Sequence, residues 1–281
     1  MSLKERDKKH LWHPLTQHKT HPEALAIKKA SNCLLEDYNG DIYIDAIASW
    51  YTCMYGHCNP EIVSAVQKQM ETLDQIIFSG FTHAPAVELS EALIAILPEN
   101  QNKLFFSDNG STTVEIAIKM ALQYHFNLGD KKDTLIAFEN GFHGDTFGAM
   151  SVSGLSVYNG PFEDFSLKVI RIPTPNKTNI DSILEKLSLL NANHKIAAFV
   201  YEPLVQGAAG MKMHCEKGLN AMIKYCNSNH IITIALVFFK LILFRSLLYS
   251  SLFSVHDSFL LNFSINNHSS SIVLFIFLRN F

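Results

Sequence analysis

The chain has 281 residues, 48% of them hydrophobic and 17% charged, with 23 Lys and Arg against 26 Asp and Glu and a formal net charge of −3. That length can bury a sizeable core as one large or two modest domains, and the balanced charge argues against a nucleic-acid binder, which carries a basic stripe. Five cysteines, an odd number without a Cys-x-x-Cys spacing, argue against a disulfide framework and for a reducing, cytoplasmic compartment; the polar opening from Met1 to Asp7 lacks the pattern of a signal peptide.

In chain order, the first sixty residues predict a β-rich entry with short strands over 24–28, 33–37 and 42–45. Asn39 and Gly40 tolerate positive φ and mark a hairpin turn between the last two. Trp50 and Tyr51 close this part, and such adjacent aromatics serve either as core or as the wall of a pocket. After Pro60 helix and strand alternate. Helices are predicted over 61–73 and 86–97, the second set between Pro85 and Pro98. A strand over 103–107 leads into a helix over 111–126 whose Val114, Ala117, Ile118, Ala121 and Leu122 share one face. Strands over 134–138, 167–170, 197–201 and 231–235 follow, with helices over 180–190 and 218–227 between them. This alternation specifies an α/β fold, a mainly parallel sheet flanked by helices.

Composition breaks after Ala235. Residues 236–281 hold nine of the 20 Phe, with ten Leu and nine Ser, and no Gly, Pro, Ala, Thr or Glu. Neither helical nor strand periodicity persists there. A membrane segment over 236–253 would bury Lys240 and Arg245 at a cost, and 272–278 is too short to span. A buried helix pair would need a periodicity that is missing. A different reading frame, or AT-rich DNA read through, accounts for both the composition and the lack of pattern, because Phe, Leu, Ser, Ile and Asn are what T-rich and A-rich codons encode.

Three segments could carry chemistry. Asp108-Asn109-Gly110-Ser111 opens a helix, where free N–H groups, the helix dipole and a small Gly110 suit a phosphate, although plain N-capping is the commoner use of such a cluster. Asn140-Gly141-Phe142-His143-Gly144-Asp145-Thr146 follows a strand and brings a ring, an imidazole and a carboxylate to a sheet edge where ligands bind; a single His in a Gly-rich turn can equally be structural. Glu202-Pro203 and Gln206-Gly207 follow the strand over 197–201, and Glu202 can serve catalysis or bond loop amides. His10, His13, His18 and His21, and the group Cys53, His57 and Cys58, lack a structural-zinc spacing, so no metal site is expected.

Taken together, these segments resemble the adenosylmethionine–8-amino-7-oxononanoate aminotransferases of biotin synthesis, within the class III pyridoxal-phosphate aminotransferases. The resemblance runs from Leu11-Trp12-His13-Pro14 through Ser49-Trp50-Tyr51, Thr82-His83-Ala84-Pro85, Asp108-Asn109-Gly110-Ser111 and Gly141-Phe142-His143-Gly144-Asp145-Thr146 to Glu202-Pro203-Leu204-Val205-Gln206-Gly207. It implies the fold-type I architecture, with 1–60 in the small domain, 61–235 as part of the cofactor domain and 236–281 outside the family pattern. It also implies pyridoxal 5'-phosphate as cofactor, S-adenosylmethionine and 8-amino-7-oxononanoate as substrates, and a homodimer. Gly110 and Ser111 would hold the cofactor phosphate, Phe142 would stack on its ring, His143 would lie beside it, Glu202 would support its outer edge, and Trp50 and Tyr51 would line the substrate pocket. Leu15 stands where many relatives have Tyr. The family's pyridine-binding Asp is expected directly after Ala235, where this chain has Leu236, and the Lys that carries the cofactor as a Schiff base is expected later. Lys240 is the sole Lys beyond Ala235 and lacks the family context. A truncated or frame-disrupted and inactive member of the family is therefore the expectation, with an ornithine- or 4-aminobutyrate-type class III enzyme, or a non-catalytic remnant, as alternatives.

Overall fold

The computed structural model describes residues 1–98, 100–156, 159–236 and 271–273. The chain divides into two units, one covering Met1–Phe81 and the other beginning at Thr82.

The first unit opens with a helix the periodicity did not announce, α1 (Leu3–His10). Its signal is a capping box: Ser2 Oγ accepts from Glu5 N, and Glu5 Oε2 accepts from Ser2 N at 2.6 Å. Strands β1 (Ile27–Ser31), β2 (Leu34–Asp37) and β3 (Ile42–Ile44) form an antiparallel sheet in that order. The first of them lies three residues beyond its predicted start. The β2–β3 turn uses Gly40 at φ +90, and the Asp37 carboxylate accepts from the N–H groups of Asn39 and Asp41 at 2.8 and 3.0 Å. A four-residue helical turn, α2 (Ala48–Tyr51), precedes α3 (Pro60–Thr72), whose N-cap Asn59 accepts from Glu61 N and Ile62 N ahead of a first-turn proline.

The second unit contains α4 (Ala84–Ile94), α5 (Gly110–Asn127), β4 (Thr134–Phe138), α6 (Phe147–Val152), a 3-10 turn at Gly160–Phe165, β5 (Val169–Ile172), α7 (Ile180–Asn193), β6 (Ile196–Tyr201), the short pair β7 (Val205–Gln206) and β8 (Lys212–Met213), α8 (Glu216–Ser228), β9 (Ile232–Ala235) and β10 (Ser271–Val273). A five-stranded, wholly parallel sheet has the order β10-β9-β6-β4-β5. Strand alternation sends Leu135 and Ala137 to one face, where they join Val114, Ala117, Ile118 and Ala121 of α5 and Ala149 and Val152 of α6. Ile136 and Phe138 point to the other face, among Ile183 and Leu187 of α7 and Leu219, Met222 and Ile223 of α8. With helices on both faces, β4 and β6 are buried along their whole length, which is why they read as continuous apolar runs.

Two expectations need correction. Residues 103–107 form no strand: an apolar run becomes one only when its backbone joins a ladder, and the described sheet is built without it. The tail, read as lacking strand periodicity, nevertheless contributes a strand beside β9. The edge strand β10 comes from the tail, pairing Ser271 with Thr233 and Val273 with Ala235, so a piece of the segment read as patternless covers the ladder of β9. The membrane-like run over 237–253 lies outside the described residues; among those described, no helix is long and apolar enough to cross a membrane.

Candidate active site

The site-forming edge follows from topology. Strands β4 and β6 are parallel neighbours, so the loops leaving their carboxyl ends emerge on one side, where open α/β sheets hold ligands. Beside them stands the N-terminus of α5. Asn109 caps it through its side chain, which accepts from Thr112 N at 3.0 Å. The N–H groups of Gly110 and Ser111 donate to no acceptor among the described residues, and a Cβ added at Gly110 would meet nothing within 4 Å. Unpaired donors, the positive end of an 18-residue helix and open space are features of a cradle that could hold an anion.

The Ser111 side chain has a further role that its place in the motif did not reveal. Its Oγ accepts from Thr146 N at 2.9 Å and lies 2.8 Å from Thr146 Oγ1. One helical turn on, Glu115 Oε1 accepts from Gly148 N at 2.6 Å and thereby caps α6, whose own N-cap Thr146 supplies no side-chain bond. Helix α5 therefore holds the 142–148 loop at two points four residues apart, on one helix face. That approach is close enough to require glycine: Gly144 has φ +124, and a Cβ there would stand 2.8 Å from Ser111 Cα. Thr146 Oγ1 also reaches Ser111 O at 3.4 Å; when it donates, the Ser111 hydroxyl hydrogen stays available to an anion at the helix end.

Within the loop, Phe142 is 40% exposed and its N–H donates to Glu202 Oε2 at 3.2 Å. The other Glu202 oxygen accepts from Gly207 N at 3.0 Å. Glu202, only 2% exposed at the end of β6, thus ties the β4 loop to the β6 loop. Its burial raises its pKa, and the two N–H donations partly oppose that. His143 is 2% exposed with neither ring nitrogen bonded to any described residue, and burial pushes its pKa down to about 4, so the imidazole is neutral. Its backbone N–H is held by Ser153 Oγ at 2.9 Å, and Arg171 in turn donates to Ser153 O and Ser151 O, both at 2.8 Å. Gln206 Nε2 donates to Glu139 O at 2.7 Å, locking the same two loops again.

The structure therefore brings Phe142 to Glu202 and Ser111 to the 142–148 loop. Trp50 and Tyr51 belong to the first unit, where Trp50 is 67% exposed in left-handed backbone. Sequence reasoning missed Glu115, Ser153, Arg171 and the buried His214, whose ring centroid lies 5.3 Å from that of Phe138. The four-residue spacing from Ser111 was the one signal for Glu115.

Pyridoxal phosphate fits these residues. The cradle offers free donors to a phosphate, Phe142 exposes a ring, and the orphaned nitrogens of His143 are buried polar atoms of the kind an added group satisfies. A family model described as aminotransferase class-III matches residues 15–235. The adenosylmethionine-8-amino-7-oxononanoate aminotransferase of Synechococcus elongatus is 42% identical over 212 residues, covering 73% of this chain and 50% of the relative. The crystal structure of the enzyme of the same name from Methanocaldococcus jannaschii superposes with a TM-score of 0.78 at 31% identity, covering 83% of this chain and 54% of that one. An omega transaminase from Pseudomonas jessenii, solved in complex with PMP, gives 0.75 at 28%, covering 84% of this chain and 56% of that one. This chain spans about half the length of the curated relatives it matches. With the family model covering most of its length, the chain belongs to the pyridoxal-phosphate-dependent class III aminotransferases.

Proposed function

We propose that the enzyme this chain represents binds pyridoxal phosphate at the carboxyl edge of the second unit's sheet and moves the amino group of S-adenosylmethionine to 8-amino-7-oxononanoate, giving the 7,8-diamino acid of biotin synthesis. The observation that carries this reading is the 42% likeness to the Synechococcus enzyme of that name. A second reading, a class III transaminase with another amino donor, is favoured by the omega transaminases among the matching folds.

When bound, the cofactor supplies the electron sink for amino-group transfer. The chain's residues bind and orient it. Gly110 and Ser111 would hold the phosphate at the positive end of α5. Phe142 offers its ring for stacking, and Glu202 fixes that residue by accepting from its N–H. His143, neutral because it is desolvated, would add no competing charge to a bound cofactor. Trp50 and Tyr51 wall the substrate side. The functional form is a cytoplasmic homodimer.

In this chain as written, the transfer does not proceed. Leu236 stands where the family resemblance requires a carboxylate. Its N–H donates to Tyr201 O at 2.8 Å, continuing the β9–β6 ladder. Lys240 lacks the family context and does not serve as the Schiff-base Lys. Incubation with the cofactor, borohydride treatment and peptide mapping test this: the expected result is no pyridoxyl group on Lys240, and a pyridoxyl peptide containing Lys240 would overturn it.

A further inference from the structure

Three consecutive non-glycine residues in the first unit adopt left-handed backbone: Ala48 at φ 48, Ser49 at φ 47 and ψ 54, and Trp50 at φ 58 and ψ 44. L-residues visit this region singly and at a cost, so a run of three persists only where its surroundings over-determine it. Here the surroundings converge on one carboxylate. Asp45 Oδ2 accepts from Ser49 N at 2.7 Å and from Ser49 Oγ at 3.2 Å, while Oδ1 accepts from Ile47 N at 3.3 Å. The same Oδ2 lies 2.9 Å from His57 Nε2, and the Asp45 side chain is 7% exposed.

His57 is itself anchored. Its N–H donates to Asn32 O at 2.7 Å and its carbonyl accepts from Asn32 N at 3.1 Å, an isolated bridge onto the β1–β2 turn. The preceding Gly56, at φ +85, permits that approach, since a Cβ there would stand 2.9 Å from Asn32 Cα. On the far side of the turn, Thr52 Oγ1 donates to Ser49 O at 2.8 Å and Cys53 N to Ala48 O at 3.0 Å. A continuous path thus runs from the sheet through Asn32, His57 and Asp45 to the backbone that carries Trp50.

We infer that Asp45 and His57 are positioning residues, which hold the Ala48–Ser49–Trp50 turn in its left-handed form and so fix the direction in which the Trp50 indole leaves the first unit. The consequence for substrate rests on the reading above that Trp50 walls the substrate side. A carboxylate is needed because both oxygens accept, and a donor at position 57 is needed to keep it in place.

The test uses the full chain with Trp12→Phe, which leaves Trp50 as the sole tryptophan, and reads its fluorescence anisotropy with circular dichroism as the check on folding. Asp45→Asn, which offers one accepting oxygen in place of two, should lose Trp50 anisotropy with the circular dichroism unchanged. His57→Gln, whose side-chain amide can still donate to Asp45, should keep it, whereas His57→Ala should lose it. Unchanged anisotropy in both Asp45→Asn and His57→Ala would overturn the inference. Should Asp45→Asn fail to fold, the contrast between His57→Ala and His57→Gln decides, and a loss in both would also overturn it. Adding 8-amino-7-oxononanoate separates the two readings. A loss in Asp45→Asn, with no response of Trp50 to that acid in the parent, supports the positioning role and overturns only the substrate wall.

Discussion

Two histidines illustrate how single residues set the pH response of this chain. His143 and His214 are both buried, and neither ring has a hydrogen-bond partner among the described residues. Burial pushes each pKa down to about 4, with Lys212 adding to the effect at His214. An unfolded His titrates near ~6.5. Between about pH 6.5 and 4 the unfolded chain therefore takes up protons that the folded chain refuses. The stability these neutral rings preserve is complete above that window and lost as pH falls through it, by up to roughly 1.4 kcal/mol per pH unit for each His. His214 packs on Phe138 and its ring makes no polar contact among the described residues, so His214→Leu should keep the fold and remove one of the two contributions. Urea midpoints measured from pH 7 to pH 4.5 should then fall less steeply than in the parent; parallel slopes would show that His214 is already protonated or solvated in the folded chain. Glu202 works in the opposite sense. Its raised pKa means that its contribution is lost as pH rises through the folded value. Gly144 supplies a steric test. Gly144→Ala adds a Cβ at φ +124 against Ser111 Cα, where the neighbour is backbone and cannot turn aside. The expected result is a loss of about 1–3 kcal/mol and, in titrations followed by cofactor absorbance, weaker retention of pyridoxal phosphate, because α5 and the 142–148 loop are pushed apart.

At the scale of elements, α5 does two jobs with one terminus. Its N-cap stabilises the helix, and its free N–H groups would form the proposed phosphate cradle. Asn109→Ala removes the bond to Thr112 N and should cost about 1 kcal/mol, whereas Asn109→Asp, which still accepts, should cost little; equal losses in the two would mean that capping is not what Asn109 contributes. Glu115→Gln should also be tolerated better than Glu115→Ala, which leaves Gly148 N–H without its acceptor at a cost of roughly 1–3 kcal/mol. These contacts show what was legible. The Asp108-Asn109-Gly110-Ser111 run announced a helix start because capping is local, and β4 and β6 were readable because a strand buried on both faces is apolar without interruption. Glu115 was marked only by its four-residue spacing from Ser111; its partner Gly148 is 33 positions away, and nothing in the intervening sequence records that approach. Helix α1 was missed because it buries no residue, so it has no apolar stripe and its capping box is the whole signal. The run over 103–107 erred the other way: it has strand-like residues but no place in the described ladder. The His57–Asp45 pair was hidden for a similar reason, because His57 reads naturally with its neighbours Cys53 and Cys58 while its partner lies twelve residues back.

The whole molecule poses one question, why a family sheet should meet a segment of foreign composition at one residue. The match to the class III family model stops at Ala235, and from Leu236 onward Gly, Pro, Ala, Thr and Glu disappear together. Selection for a packed structure would not remove all five at once, since turns and caps need several of them. A shift in reading frame would, and it would leave the preceding residues untouched. The expected finding in the DNA around codon 235 is a second frame that encodes Asp at once and, further on, Lys among small residues. A continuation with no such frame would leave recombination or a genuine replacement of the segment. Strand β10 adds a physical side to this question. Three residues of the tail pair with β9, which shows that a short β-branched run can occupy the edge of a parallel sheet whatever its origin, because the ladder is made by backbone and the edge asks little of the side chains. Restoring the other frame should therefore exchange one occupant of that edge for another while supplying the carboxylate and the Lys. The repaired protein should transfer the amino group of S-adenosylmethionine to 8-amino-7-oxononanoate, and Trp50→Ala in it should raise KM for the acceptor more than it weakens cofactor binding, because the phosphate cradle on α5 lies in the other unit. A repaired enzyme that ignores S-adenosylmethionine but accepts ornithine or 4-aminobutyrate would keep the family and sink the biotin assignment.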